Sequence, residues 1–275
     1  MQIIILLIPF ILLLINYFTI AILSVTIIFL LMRIYSAYIC KAQFNLSTFV
    51  YIFYIPELIT GPFRDYPTWS KKETRKLFSE SLINVLNSLI LILLSGYFYS
   101  KTIFFYDNIF YTSVITYLVL YAQFHSMSKI ANSISMFLGK TEVVNFNNPL
   151  MATSINDFWS RWHISLGVFA KKYINQPLTF YVSKKIKNKN LPYVLSIFIT
   201  FLFIGLWHNV SYNYLIFGIY FGIIVILERH FLDRLFSKIA NIRLQKLLGI
   251  LYAQSAHIIG FSFVVEYIQK IIIHP

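Results

Sequence analysis

The side chain most informative about chemistry is one imidazole inside an apolar stretch. His208 lies near the middle of Leu191–Leu227, a run of 37 residues without Lys, Arg, Asp or Glu. One straight helix of that length would measure about 55 Å, well beyond a hydrocarbon core of about 30 Å. The run is therefore predicted to turn, and Asn209 and Ser211 place the predicted turn beside the histidine. Polar side chains at such depth usually face a protein interior or a cavity.

Two interpretations of His208 remain open from these residues alone. In one, the imidazole is a general base reached through a tunnel. In the other, it caps a hairpin at the membrane surface. His163, a second histidine among aromatic residues, favours the first because it offers the site a partner, although a lone histidine in such surroundings is more often a hydrogen-bonded interfacial residue. His257 also lies in an apolar segment, but no neighbouring residue supports a role for it.

Several other mechanisms lack the residues that they need. The sequence has no Gly-x-Ser-x-Gly elbow, no Walker-type phosphate loop and no His-Glu-x-x-His. Its single cysteine, Cys40, excludes an internal disulfide and a cysteine-based metal cluster, and we predict no metal site and no tightly bound cofactor. Acyl transfer from a thioester to an alcohol needs only a base and alignment of two substrates, because the thiolate leaves readily.

The elements that must position the histidines are membrane helices. Apolar residues make up 58% of the chain and charged residues 12%, whereas a soluble domain carries about 25% charge; mean hydropathy is +0.70. We predict an all-α polytopic membrane protein that forms a single domain, residues 1–275, with a retained anchor in Met1–Met32. Further membrane segments are predicted near 79–100, 102–124, 191–207, 209–228 and 246–266.

The excess of basic residues gives a net charge of +13. We attribute it mainly to the usual bias of Lys and Arg toward cytoplasmic loops beside anionic lipid. Membrane lipids are therefore predicted partners, and nucleic acid is not. The three basic stretches are Lys71–Lys76, Lys184–Lys189 and Arg229–Arg243. An even number of predicted membrane segments separates each from the next, which is consistent with all three lying on the cytoplasmic side. The orientation of the chain in the membrane stays open.

Residues 125–180 are amphipathic rather than uniformly apolar. Such a segment either lies in the membrane interface or folds back into the bundle around a water-filled cavity. Ser154 to Asp157 has the pattern of a capping box, which predicts a helix that begins at Ile155. Four side chains would share one face of that helix: Trp159, Trp162, His163 and Leu166.

Three blocks of sequence, in order, resemble the signatures of the membrane-bound O-acyltransferase family, in the branch that modifies cell-surface polymers. They are Pro56-Glu57-Leu58-Ile59-Thr60-Gly61-Pro62, then Asn145-Phe146-Asn147-Asn148-Pro149 continuing to Asn156-Asp157-Phe158-Trp159-Ser160-Arg161-Trp162-His163-Ile164-Ser165-Leu166, and Gly205-Leu206-Trp207-His208. The resemblance covers about residues 50–235. The chain departs from the family at Asn209, where Gly is usual, and at Lys171-Lys172-Tyr173, where Arg-Asp-Tyr is common.

The resemblance implies a ring of tilted transmembrane helices around a central tunnel, shortened at the N-terminus relative to most members. It also implies that His208 is the catalytic histidine, which activates an acceptor hydroxyl, and that His163 is a second histidine near the same tunnel. The residues implied to shape the tunnel are Asn156, Asp157, Trp159, Arg161, Trp162 and Trp207.

The resemblance further implies a reaction. A cytoplasmic thioester, either acyl-coenzyme A or an acyl carrier protein, would give its acyl group to a hydroxyl of an extracytoplasmic polysaccharide at the cell membrane. The high content of Ile, Asn, Lys, Phe and Tyr is typical of an AT-rich genome and predicts a bacterial source. Leu227-Glu228-Arg229 favours the polysaccharide-acetylating members. One alternative is D-alanyl transfer toward teichoic acid from an acidic carrier protein, which the Lys184–Lys189 cluster could dock. Another is a non-catalytic component of polymer export that acts with accessory envelope proteins.

Overall fold

The computed structural model describes residues 26–58, 61–71, 78–102, 108–188, 190–208, 210–232 and 238–273. Every regular element in these ranges is a helix, which confirms the all-α prediction. Residues 1–25 of the predicted anchor lie outside the described residues. So do Asn209 at the predicted turn and part of each of the three basic stretches.

Four short helical elements precede the long helices. The side chains of Asn45 and Asp65 accept hydrogen bonds from the backbone N–H groups of Thr48 and Thr68, which starts two of these helices. The elements are α1 (Thr26–Ile39), α2 (Leu46–Ile52), a 3-10 turn (Ile55–Glu57) and α3 (Tyr66–Ser70).

A buried ion cluster ties α1 to the loop that carries the first sequence block. The Glu57 carboxylate lies 3.8 Å from the Arg33 guanidinium and also pairs with Arg64. All three side chains are essentially inaccessible to solvent. Buried charges persist in proteins only when they are paired in this way, so the cluster fixes where the loop enters the bundle.

Helices α4 (Phe78–Thr102) and α5 (Ile109–Phe137) pack against each other. The first matches the predicted segment 79–100, but the prediction of 102–124 was wrong at both ends. Asn108 sets the later start, because its side chain accepts from two backbone N–H groups of the first turn. The helix continues beyond residue 124 because its polar side chains are buried there against protein: Ser126, Ser128, Asn132, Ser133 and Ser135.

The predicted turn beside His208 is confirmed. Helix α9 (Leu191–His208) ends at the histidine, and α10 (Tyr212–Leu227) begins after it and continues as a π-helical turn over Glu228–Leu232. The two helices approach closely at two glycines. A Cβ atom on Gly205 would lie 2.3 Å from the Tyr214 carbonyl oxygen, and one on Gly218 would lie 2.7 Å from the Phe201 carbonyl oxygen. The last helix is α11 (Ile242–Ile273).

Four helices in the described residues are long and apolar enough to cross a membrane. On α4, the apolar side chains are largely exposed: Leu93 is 72% and Leu94 is 61% accessible. Such exposure suits contact with lipid tails. The chain is thus a multi-pass membrane protein, with candidate spans at Ser79–Ser100, Leu191–His208, Tyr212–Phe231 and Ile242–Val265.

Short helices fill the segment between α5 and α9. They are a 3-10 turn (Pro149–Met151), α6 (Ile155–Arg161), α7 (Ile164–Ala170), a π-helical turn (Lys171–Asn175) and α8 (Gln176–Ser183). The predicted start at Ile155 is confirmed, because the Ser154 side chain accepts from the Asp157 N–H at 3.0 Å. Of the two placements considered for residues 125–180, the structure supports folding back into the bundle, since α6 contacts α10 and α11.

The expectation of one continuous helix face through His163 was wrong. Helix α6 ends at Arg161, and His163 has left-handed backbone angles of φ 45° and ψ 51°. A continuous helix would use the Arg161 carbonyl and the Ile164 N–H within itself. Instead, the Asn147 N–H donates to that carbonyl, and the Ile164 N–H donates to the Asn145 carbonyl, both at 2.9 Å. The segment around Asn145 therefore breaks the helix at the histidine.

Candidate functional site

A cavity of about 580 Å³ lies among α6, α7, α9 and the end of α10. This volume is within the range of sites for small ligands and cofactors, roughly 300–1,000 Å³. Two histidines, His163 and His208, line it together with mostly apolar and aromatic side chains. These include Trp159, Trp162, Ile164, Leu166, Val168, Tyr193, Ile197, Phe201, Ile204 and Val225.

The residues predicted to shape a tunnel divide into two groups. Asn156, Trp159 and Trp162 line the cavity. Three others are not among its described lining residues. Asp157 and Arg161 pair with each other at 2.6 Å. The Trp207 ring lies between the two histidines, with centroids 5.9 Å from His163 and 4.5 Å from His208. Their roles in a tunnel stay predictions.

His163 is almost completely buried, and its side chain makes one hydrogen bond in the described residues. Its Nδ1 lies 3.1 Å from the Asn145 Oδ1, and its ring meets the Phe124 ring edge-on at 4.9 Å. Nε2 has no hydrogen-bond partner there. His163 lies outside the four candidate spans. Burial, and to a lesser extent His208, lowers its pKa well below the ordinary value, so the imidazole is neutral.

His208 is the last residue of α9 and lines the same cavity. Its ring stacks on Tyr214 with centroids 5.7 Å apart and meets Phe217 edge-on at 6.3 Å. These aromatic contacts hold the ring at the end of the helix. The structure thus brings together on one cavity the two histidines that the sequence analysis singled out, from elements about forty-five positions apart in the chain.

The first sequence block also reaches His163. Gly61 has a positive φ of 74°, which favours glycine. A Cβ atom at this position would lie 3.6 Å from the His163 Cε1 and 3.7 Å from the Asn145 Nδ2. Two residues later, the Phe63 N–H donates to the Ser165 Oγ at 2.8 Å. All three sequence blocks therefore meet around the histidine cavity.

Glu228 is a site-supporting residue whose contacts sequence reasoning missed. Its buried carboxylate accepts from the backbone N–H groups of Ile155 at 2.5 Å and Asn156 at 2.9 Å, and from the Asn156 side chain at 2.5 Å. Glu228 thereby links the end of α10 to the start of α6. The dipole of α6 favours negative charge at this N-terminal end of the helix. The signal that could have found it is the lone acid that directly follows the uncharged Leu191–Leu227 run.

The rim of the cavity carries two cations. Lys171 and Arg229 both line it and are both exposed, and the Arg229 guanidinium lies 3.9 Å from the centre of the Tyr193 ring. In the part of the chain that the structure describes, no group of three His, Cys, Asp or Glu side chains is placed to hold a metal ion. The cavity thus combines a base, an apolar wall and a cationic edge.

Comparison with known proteins identifies the family. A model of the membrane-bound O-acyltransferase family matches residues 10–243. The teichoic acid D-alanyltransferase of Bacillus subtilis is 26% identical over 205 residues, which cover 67% of this chain and 52% of that protein. The peptidoglycan O-acetyltransferase of Helicobacter pylori is 34% identical over 110 residues, 40% of this chain and 20% of that protein.

A third relative, a probable alginate O-acetylase of Pseudomonas aeruginosa, is 32% identical over 116 residues, 40% of this chain and 20% of that protein. The chain therefore spans about half the length of the first relative and about a fifth of the other two. The family match itself covers most of the chain and includes both cavity histidines. The chain belongs to the membrane-bound O-acyltransferase family.

Proposed function

We propose that this protein transfers an acyl group from a thioester to a hydroxyl of a cell-surface polymer, with acetyl transfer to a polysaccharide as the favoured reaction. The observation that carries the proposal is that His163 and His208 line one largely apolar cavity. The relatives named for acetyl or D-alanyl transfer support the reaction class. The multi-pass fold suits a reaction at a bacterial cell membrane, between a cytoplasmic donor and an extracytoplasmic acceptor.

The chemistry requires few groups. An acceptor hydroxyl in the cavity gives its proton to an imidazole nitrogen while its oxygen attacks the thioester carbonyl carbon. The carbon–sulfur bond then breaks, and the departing thiolate takes up the proton. A positioned general base contributes about 10²–10⁴-fold to such a step. The apolar walls keep out water that would hydrolyse the thioester.

The proposed roles of the histidines differ. His208 is the base that activates the acceptor hydroxyl, as the resemblance implies, and His163 acts beside it in the same cavity. Lys171 and Arg229 at the rim suit the phosphate groups that coenzyme A and carrier-protein thioesters carry. The aromatic residues Trp159 and Trp162 align the two substrates, which is a large part of catalysis for a reaction between two bound molecules.

D-alanyl transfer toward teichoic acid is the second candidate, and one observation favours it. The alignment to the D-alanyltransferase covers 67% of this chain, compared with 40% for the two acetyl-transferring relatives. Lys184, Lys185 and Lys187 at the end of α8 are exposed and offer a docking surface for an acidic carrier protein. The two candidates differ in the acyl group and in its carrier.

Isolated membranes that contain the protein would separate these candidates. Membranes with wild type, or with a folded His208→Ala variant, receive radiolabelled acetyl-coenzyme A or a carrier protein charged with labelled D-alanine, and label in the polymer is counted. We expect wild-type membranes to label the polymer from one donor and His208→Ala membranes to label it from neither. Equal labelling by the two proteins would overturn the proposal. Polymer export without any label would support the export hypothesis instead.

A further inference from the structure

A set of hydrogen bonds behind His163 converges on one amide oxygen. The Asn145 Oδ1 lies 3.2 Å from the Ser165 backbone nitrogen, 2.7 Å from the Ser165 Oγ and 3.1 Å from the His163 Nδ1. A backbone N–H can only donate a hydrogen bond. The atom of Asn145 that faces Ser165 is therefore its oxygen and not its nitrogen.

The direction of the remaining bonds follows from the same reasoning. The Ser165 Oγ accepts from the Phe63 N–H at 2.8 Å, so its own hydrogen points to the Asn145 Oδ1. At the other end of the amide, the Asn145 Nδ2 donates to the Ser128 Oγ at 2.8 Å. Both ends of the Asn145 side chain are thus fixed by groups from two other parts of the chain, His163–Ser165 and Ser128.

This arrangement determines which nitrogen of His163 carries the hydrogen. An amide oxygen only accepts, so Nδ1 must donate, and in a neutral imidazole Nε2 then keeps a lone pair. His163 is only 3% exposed, and its Nε2 has no partner among the described residues. His163 lines the cavity, whereas Asn145 is not among the described lining residues. Nε2 has almost no accessible surface, so the ring is enclosed in the cavity wall with Nδ1 bonded to Asn145 and Nε2 unpaired among the described residues.

We infer that Asn145, held by Ser165, is a positioning residue that fixes the tautomer of His163 and leaves Nε2 as the ring nitrogen that can accept a proton at the cavity wall. The inference depends on the proposed function for its chemical meaning. A hydroxyl that reaches the ring when substrates bind can donate to this nitrogen, whereas the opposite tautomer would offer an N–H there. The residue that directly follows the first sequence block gains a role as well, since the Phe63 N–H sets the direction of the Ser165 hydroxyl.

Other titratable groups near His163 are few in the described residues. His208, Lys171 and Arg229 share its cavity. His125, Lys129 and Glu142 line a smaller cavity of about 230 Å³ behind Asn145. None of these side chains is a hydrogen-bond partner of the His163 ring in the described structure. Asn145 is thus the contact that distinguishes the two ring nitrogens.

The direct test is the ¹⁵N NMR spectrum of histidine-labelled protein in detergent micelles, with the His163 signals assigned by loss in His163→Gln. Two-bond couplings show which ring nitrogen is protonated. We expect a hydrogen on Nδ1 in the wild type. In Asn145→Asp, the carboxylate accepts the same donors and stabilises the imidazolium, so we expect both nitrogens to stay protonated to a pH higher by about one unit or more.

Ser128→Ala is the matched control, because it removes the contact at the other end of the same amide. It should leave the His163 titration unchanged. A hydrogen on Nε2 in the wild type would overturn the inference, and so would equal shifts in Asn145→Asp and Ser128→Ala. The spectrum can be read without any acyl transfer, so failure of the proposed function and failure of this inference give different results.

The same variants give a kinetic test if transfer is observed. Asn145→Asp should move the acidic limb of the pH–rate profile upward with the NMR titration, since protonated Nε2 cannot accept. Ser165→Ala removes one of two donors from Ser165 to the amide and should lower the rate by about fivefold, the equivalent of one ordinary hydrogen bond. Rate losses with no change in the pH profile of Asn145→Asp would contradict a positioning role.

Discussion

His163 and His257 are both buried among aromatic residues, but only His163 is among the described residues that line the cavity. Both are buried, and in both Nδ1 is bonded while Nε2 has no partner among the described residues. His257 donates from Nδ1 to the Ala253 carbonyl of its own helix at 2.8 Å, and its ring stacks on Phe158 with centroids 3.3 Å apart. His163 bonds to Asn145 and faces the cavity. The cavity, and not burial or an unpaired nitrogen, is therefore the feature that distinguishes the two histidines.

The largest expected effect concerns this pair directly. His163→Gln should reduce acyl transfer by about 10²-fold or more, since a positioned acid or base contributes about 10²–10⁴-fold. His257→Phe keeps an aromatic ring against Phe158 and should stay within about threefold of wild type. His257 is not among the described cavity-lining residues, so loss of one hydrogen bond of about 1 kcal/mol affects mainly stability. Rates measured on purified protein check both. A larger loss in His257→Phe than in His163→Gln would reverse the comparison.

Filling the cavity should have the next largest effect. Gly167 lines it, and a Cβ atom there would be in ordinary contact, 3.7 Å from the Trp159 carbonyl oxygen. Gly167→Leu should therefore fold yet lower transfer by about tenfold or more by misplacing the substrates. The loss should grow with the length of the acyl chain offered. Gly96→Leu places the same side chain on α4, away from the cavity, and should leave the rate unchanged.

The sequence predicted the elements better than their junctions. The α9–α10 hairpin followed from the uncharged Leu191–Leu227 run, because membrane thickness limits a straight helix. The start of α6 followed from Ser154, because a helix cap is a local interaction. The break at His163 did not follow, since the bonds that replace the helix come from Asn145 and Asn147, and such long-range contacts leave no periodic signal.

The candidate site shows the same division. The pairing of His163 with His208 was suggested by two imidazoles in apolar surroundings and strengthened by the family resemblance. The structure places both on one cavity, and their joint action stays a prediction. The contacts of Asn145, Ser165 and Glu228 with the site were not predicted, although Asn145 and Ser165 stand inside the second block. Their partners are distant in the chain, so only folding shows what each side chain meets.

A smaller effect, on stability, is expected at helix α6, which lies between His257 and the cavity. Helix α6 carries both Phe158, which stacks on His257, and Trp159, which lines the cavity. Glu228→Gln removes the charge that holds the start of α6 and should destabilise the protein by about 1–2 kcal/mol. Thermal unfolding in detergent measures the loss. Glu80→Gln, at an exposed acid on α4, should change the melting temperature little.

The smallest effect concerns the pH dependence of stability that the Asp65–Lys172 pair contributes. Asp65 joins the loop of the first block to Lys172 and Tyr173. Partial burial raises the pKa of Asp65, but hydrogen bonds from Lys172 and Thr68 outweigh it and hold that pKa below its ordinary value. The pair therefore stabilises the fold at neutral pH, and this contribution disappears as pH falls below about 4, through the lowered pKa.

Asp65→Asn should accordingly lower the melting temperature at pH 7 and make no difference at strongly acidic pH. The effect should be below about 1 kcal/mol, because the Lys172 side chain is 46% exposed and the pair is screened by solvent. Melting curves of wild type and variant across pH measure it. A difference that is independent of pH would show that Asp65 acts through its helix cap rather than through its charge.

The most direct test of the central claim is the acyl content of the surface polymer, measured by NMR in cells that carry wild type, His208→Ala, His257→Phe or no gene. If the cavity is the catalytic site, the acyl signal is present with wild type and His257→Phe and absent in the other two strains, and its chemical shift identifies the acyl group. A normal acyl signal with His208→Ala would contradict catalysis by the cavity histidines.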